Sequence, residues 1–350
     1  MALNMNKILL INNPHHFGIR AVGEAYKRAF EYLGVDFDYV DFSSSFPMHI
    51  SQVNSNILAK IIELNPYKVI FIQPSYLMAN TYLALAEFKK NGISKFYSIN
   101  TEDPYSTSAI LMIEDIFNII FTNEFKVAEK FKNRRFKYLP VAFDSLAPFK
   151  RSNTRDINLA FITTFYPDRY KYLKAIKDIE LVAIGGSVAP LLITSSVMDY
   201  GVFRSRVPSV LRRYKELETY SYCKFAFNLH RNIKWLGKSF FNLGEGVYCP
   251  QIIDSAISPN PRFFDAIGCG SVSLNDITRT ECFSLLRKYG ISDETLDFFK
   301  LPDIDNFSEK LRKQINDYDK IKDRVEILSK DIKENETYIT RAKDILSKIE

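Results

Sequence analysis

The chain has 350 residues, of which 46% are hydrophobic and 25% charged, the balance of a soluble globular protein. At about 150 residues per core, this length predicts two domains. Its 47 Lys and Arg exceed its 41 Asp and Glu to leave a net charge of +6, which suits an anionic partner: a nucleotide diphosphate, a nucleic acid or an acidic membrane surface. The four cysteines, Cys223, Cys249, Cys269 and Cys282, form no CxxC pair, and histidine is too scarce and scattered to complete a zinc site, so free thiols in a reducing cytoplasm are expected.

The opening MALNMNKILLINNP holds one apolar run, residues 8–11, too short for a signal-peptide core or a membrane span, and is expected to form the first strand. Helical and strand patterns then alternate through GIRAVGEAYKRAFEYLG, FDYVDF, SQVNSNILAKIIELN, YKVIFIQ, TYLALAEFKKNG, KFYSIN, IFNIIFTN and FKYLPVAF. Strands separated by helices require crossovers, which predicts a parallel, doubly wound sheet. Residues 145–156, SLAPFKRSNTRD, have linker chemistry. The alternation then resumes in INLAFIT, DRYKYLKAIKD, IELVAIGG, SVLRRYKELETYSYC, KFAFNLH and SVSLND.

From Phe307 onward Leu311, Ile315, Tyr318, Ile321, Val325, Leu328 and Ile332 recur at three- and four-residue steps, predicting one or two amphipathic helices. The expected fold class is α/β: two Rossmann-like, doubly wound domains over 1–150 and 151–306, facing across a cleft, with C-terminal helices over 307–350 that can pack back on the first domain. A ligand is expected in the crevice at the carboxyl ends of the strands.

Three motifs fail on context. WLGKS suggests a phosphate-binding P-loop, but the glycine required five places before Gly237 is Asn232. Gly268-Cys269-Gly270 follows a helix and precedes a strand, the reverse of a dinucleotide fingerprint, and the first strand leads into NNPHHFG without one. Lys224 begins its strand at the end away from the expected cleft.

The segment SPNPRFFDAIGCGSVSLND, residues 258–276, carries the strongest local signal. Asn260 is a good N-cap and Pro261 suits the first helical position, so a short helix is expected whose start aims amides and the positive dipole end at an anion. Arg262 adds a guanidinium at the mouth, and Asp265, one turn in, can accept hydrogen bonds from ribose hydroxyls. A capped helix between strands with an arbitrary Asp is the plainer alternative.

At this segment the chain resembles nucleotide-sugar glycosyltransferases of GT-B fold, and most closely the spore maturation protein CgeB family, whose PxRxFE...GCG segment it matches with Asp265 in the acidic, ribose-binding place. INLAFITTFYPDRYKYLKAI, CKFAFNLHR and NTEDPY extend the resemblance over scattered blocks of residues 95–280. The resemblance implies donor binding by Asn260, Arg262, Phe263, Asp265, His230 and Arg231, with Arg169 as diphosphate clamp. It departs at Ile257, where relatives carry the first of two glutamates, the one near the donor sugar. Asp36 and Asp38 resemble the metal-holding carboxylates of the other large glycosyltransferase fold, but lie inside the second strand.

In the first domain Thr101-Glu102-Asp103-Pro104 follows a strand, where Asp103 is expected to orient an acceptor hydroxyl or, if the reaction inverts configuration, to act as general base; a plain acidic turn is the alternative. His16, beside His15 after the first strand, is a candidate contact to donor sugar or acceptor. The basic EFKVAEKFKNRRFKY, residues 124–138, reads either as a surface for an acidic or nucleic-acid acceptor or as an amphipathic helix with a wet face. The function these features imply is transfer of a sugar from a nucleotide-diphosphate sugar to a glycan, protein or nucleic acid. The expected enzyme is cytoplasmic, needs no cofactor or metal, and retains configuration as its relatives do. Nucleotide-sugar epimerisation in the same fold and a non-catalytic nucleotide-sugar-binding protein are the alternatives.

Overall fold

The short runs rich in Ile, Val and Phe form parallel strands, because β-branched and aromatic side chains fit a pleated surface covered on both faces. The computed structural model describes residues 4–12, 17–42, 50–74, 77–164, 167–186, 209–230 and 252–349. The chain divides into two units, Met1–Pro140 with Arg231–Ile257 and Arg341–Glu350, and Val141–His230 with Ser258–Thr340. Among the described residues no helix is long and apolar enough to cross a membrane.

The described part of the first unit is built on strands β1 (Asn4–Asn12), β2 (Phe37–Asp41), β3 (Pro66–Ile72), β4 (Lys95–Asn100), β5 (Phe117–Thr122) and β6 (Phe136–Tyr138). They pair in parallel in the order β2-β1-β3-β4-β5-β6. Val69, Ile70, Phe71 and Ile72 of β3 are all buried in succession, as a central strand requires. Helices Phe17–Tyr32, Ile50–Leu64 and Ala79–Lys90 alternate with the strands. Asp38, in β2, pairs with Lys7 at 2.7 Å, which is the strand role expected of it.

Two expectations for this unit require correction. The strand expected over FKYLPVAF stops at Tyr138: Leu139 still donates to the Thr122 carbonyl at 2.8 Å, but Pro140 has no N–H to continue the ladder. The basic stretch 124–138 is not one amphipathic helix. Glu124 caps a helix of only six residues, Phe125–Lys130, and a turn leads into β6, with Phe131 packed on Phe136 at 5.1 Å between ring centroids.

The second unit repeats the design with β7 (Ile157–Thr164), β8 (Leu181–Gly186), β9 (Cys223–Asn228) and β10 (Val272–Asn275) in the parallel order β10-β9-β7-β8. Read from the other edge, this is the order of the first four strands of the first unit. Phe161 and Phe227 stack at 4.1 Å in its core. Helices Pro167–Ala175, Ser209–Tyr222 and Pro261–Gly268 intervene between strands.

The C-terminal region holds three longer helices among the described residues, Phe307–Asn316, Lys322–Asn335 and Tyr338–Lys348, rather than the expected one or two. The last break has a clear cause. Thr337 is drawn into a parallel bridge with Phe143, whose amide donates to the Glu336 carbonyl at 2.9 Å and whose carbonyl accepts from the Tyr338 amide at 3.2 Å.

Gly-Cys-Gly also has a structural reason. Ser271 donates to the Ala266 carbonyl and Gly270 to that of Ile267, both at 2.8 Å, which is the Schellman closure of a helix, and Gly270 supplies the positive φ of 87° it needs. A Cβ on Gly268 would overlap the Phe143 ring. The helix is therefore clamped at its end as well as at its start.

Candidate functional site

In an open α/β sheet, ligands bind beyond the carboxyl ends of the strands where the strand order reverses. In the second unit that point lies between β7 and β9, and three consecutive residues at the end of β9 organise it. Asn228 is buried; its Oδ1 accepts from Asn260 Nδ2 at 2.8 Å and from Arg262 Nε at 3.3 Å, while its Nδ2 donates to Asn275 Oδ1 at 2.8 Å. The Leu229 carbonyl accepts from Arg169 Nε at 2.9 Å. His230 places its backbone N–H and its Nδ1 on Asp276 Oδ2, at 3.0 and 2.7 Å.

The helix Pro261–Gly268 begins against this edge. Asn260 is extended at φ −97° and ψ 172°, and its Oδ1 accepts from the Phe263 amide at 3.1 Å, so the expected cap is formed with Pro261 in the first turn. The turn before it is also held: Arg279 Nη1 donates to the Ser258 carbonyl at 3.3 Å, and the Ser258 hydroxyl bonds the Glu281 carboxylate. From one residue, Asn228, the strand thus fixes both the cap and the first guanidinium of the helix.

Electrostatics sort the titratable groups. Burial, reinforced by Arg279, lowers the His230 imidazole to about 3 despite Asp276, so the ring is neutral at physiological pH and Nδ1 carries its proton toward the carboxylate. Burial works to raise Asp276, and hydrogen bonds from His230 and Thr278 work to lower it. Burial pushes Asp265 up to about 6, against the pull of Arg213.

The nine expected site residues separate on this geometry. Arg169, His230, Asn260 and Arg262 are brought together around the end of β9. Asp265 is not directed at a ligand: it is fully buried and forms an ion pair with Arg213 of the Ser209–Tyr222 helix, because the second turn faces the core. Phe263 is likewise in the core, edge-on to Phe264 at 5.2 Å, so it shapes the helix seat and offers no ligand surface.

Asp103 is closed off as well. Its Oδ1 accepts from Ser106 and Thr107 at 3.0 and 2.9 Å and its Oδ2 from Thr122 at 2.6 Å, which makes it the bracket of its turn; Glu102 beside it is only half-buried. His16 and Arg231 lie outside the described residues. Asn228, Asn275, Asp276 and Arg213 were missed by sequence reasoning. An Asn ending each of two adjacent strands, in FN and LN, is the signal that points to the first two.

No protein-family model matches the chain, and no curated protein matches it in sequence. Among solved structures, a glycosyltransferase from Rickettsia africae ESF-5 is similar over 98% of this chain and 97% of its own, with a TM-score of 0.50 at 10% identity. The chain has the GT-B fold. S. aureus MnaA with UDP, at TM-score 0.47 and 11% identity over 99% of this chain and 96% of its own, is a more distant likeness. So is the Methanocaldococcus jannaschii UDP-GlcNAc 2-epimerase with UDP-GlcNAc and UDP, at 0.45 and 10% over 98% and 99%.

Proposed function

We propose that this GT-B chain is a glycosyltransferase that moves the sugar of a nucleotide-diphosphate sugar to an acceptor hydroxyl without a metal ion, and that the diphosphate lies at the start of the Pro261–Gly268 helix. The observation that carries this reading is the meeting of Arg169, Arg262 and a capped helix start at the end of β9. In such a transfer the bond from the sugar's anomeric carbon to the diphosphate oxygen breaks, and the acceptor oxygen forms the new one. Negative charge grows on the departing diphosphate. Guanidinium groups and the positive end of a helix dipole, fixed in advance, stabilise that charge without reorganising.

The fold shared with the Rickettsia africae glycosyltransferase supports the class, and the CgeB-like blocks support the family. On the acceptor side, Glu102 is the carboxylate of its turn that can orient the acceptor hydroxyl, and take its proton if the reaction inverts configuration, since Asp103 is enclosed. The basic stretch favours a glycan or protein acceptor over nucleic acid: Lys126 and Lys130 bond Ser255 and the Ile252 carbonyl, and Arg134 and Arg135 pair with Glu114 and Asp115. The free, buried thiols of Cys223, Cys269 and Cys282 suit the cytoplasm.

Ile257, in place of a donor-sugar glutamate, favours a second reading, a nucleotide-sugar-binding protein without turnover. A thermal-shift panel of nucleoside diphosphates and their sugars, followed by assay of donor hydrolysis, separates the readings. Stabilisation with slow release of free sugar is the expected result. Stabilisation without turnover assigns the binding protein, conversion of the donor to an epimer assigns an epimerase, and no response to any nucleotide rejects all three.

A further inference from the structure

A buried polar atom without a partner is rare enough in native proteins to need a reason, and a ligand group is one. His230 carries such an atom. Its side chain is 5% exposed, Nδ1 is fixed on Asp276 at 2.7 Å, and among the described residues Nε2 has no hydrogen-bond partner. A purely structural histidine at this depth satisfies both nitrogens, and phenylalanine would fill the space without desolvating one. The ring stands at the end of β9, adjoining the residues that hold Asn260, Arg262 and Arg169.

We propose that His230 reads a hydroxyl of the bound nucleotide sugar: Asp276 holds the proton on Nδ1, and the Nε2 lone pair accepts an O–H from ribose or hexose rather than touching a phosphate. The inference rests on the nucleotide-sugar reading above and adds the chemical group that His230 recognises. A diphosphate diester presents only lone pairs, which a neutral Nε2 cannot bind, whereas a hydroxyl presents a donor. The charged groups facing the ring are Asp276 and Arg279 after β10 and Arg262 on the Pro261–Gly268 helix, with Arg169 holding the adjacent Leu229 carbonyl. Burial and the two arginines acting on the ring keep it neutral over the range in which a free histidine would charge.

The test is calorimetric titration of the full chain with UDP-, GDP- and dTDP-hexoses and the free diphosphates, on wild type, His230→Phe and His230→Gln. The tightest wild-type sugar nucleotide should bind roughly tenfold more weakly to His230→Phe. His230→Gln, whose amide oxygen reaches about the place of Nε2, should recover most of the loss. Wild-type affinity for the sugar nucleotide, whose diphosphate does not titrate in that range, should stay flat between about pH 8 and 6.5, above the range in which Asp265 takes up its proton, where an imidazolium on phosphate would bind more tightly as the pH falls. If His230→Phe fails to fold, the Gln variant and the pH series decide. Equal affinity in all three proteins, or tightening as the pH falls over that range, overturns the inference and leaves the nucleotide-sugar reading standing. No binding of any probe to wild type overturns both.

Discussion

Replacing Arg213 by methionine should lower the unfolding free energy by about 3–5 kcal/mol. Arg213 is 15% exposed in its side chain and is ion-paired with Asp265, which is fully buried, while Glu216 lies 3.7 Å from the same guanidinium. Burial already drives the Asp265 carboxyl upward, and Arg213 is the group opposing it. Without the arginine the carboxyl must either stay charged in the core or take up a proton, and both cost stability. The cost is felt in the Pro261–Gly268 helix, so ligand binding at its start should weaken too. Replacing both partners with apolar residues, Arg213→Met with Asp265→Leu, should recover most of the loss, because two compensating desolvation penalties are removed together. Urea unfolding measures all three proteins. A single variant within about 1 kcal/mol of wild type, the level of a surface ion pair, would contradict the assignment.

The second large effect is expected in turnover. Arg262→Ala should reduce sugar transfer or donor hydrolysis by about 10²–10³-fold, the loss typical of removing one fixed group that stabilises transition-state charge. Arg262 is half-buried in the first turn, and its Nε is steadied by Asn228 at 3.3 Å, so its guanidinium is held in place before any ligand arrives. Lysine should restore only part of the rate, since it supplies charge without the planar fork. The melting temperature should change little, because the cap at Asn260 and the Asp265 pair remain. Steady-state kinetics on the donor identified by the thermal-shift panel read this directly, and an alanine variant of near wild-type rate removes Arg262 from the site.

What the sequence reveals follows the range of the interactions. Strands β1 to β5 and β7 to β10 and their order of appearance are legible, because alternating apolar runs and helical patterns are local signals. The cap at Asn260 and the proline after it are legible for the same reason. The breaks are less so. Pro140 ends β6 early through a missing donor, and the Thr337–Phe143 bridge that divides the C-terminal helices joins residues far apart in the chain.

The site follows the same rule. Asp265 looks available for ribose when its helix is read alone, and only the arrival of Arg213 from another helix fixes it in the core. Asp103 looks like an exposed acid until the hydroxyls of Ser106, Thr107 and Thr122 enclose it. Charges that read as functional from neighbouring residues become structural when partners distant in sequence take them. Asn228 and Asn275, the residues that aim the helix, carry no charge and so attract no notice in a search for chemistry.

A crystal structure of the chain soaked with a nucleoside diphosphate sugar that stabilises it tests the central claim most directly. Diphosphate density is expected within hydrogen-bonding distance of the Arg262 guanidinium at the start of the Pro261–Gly268 helix, beside the end of β9. Density for the nucleotide at another place, with Arg262 and the helix start untouched, would contradict it.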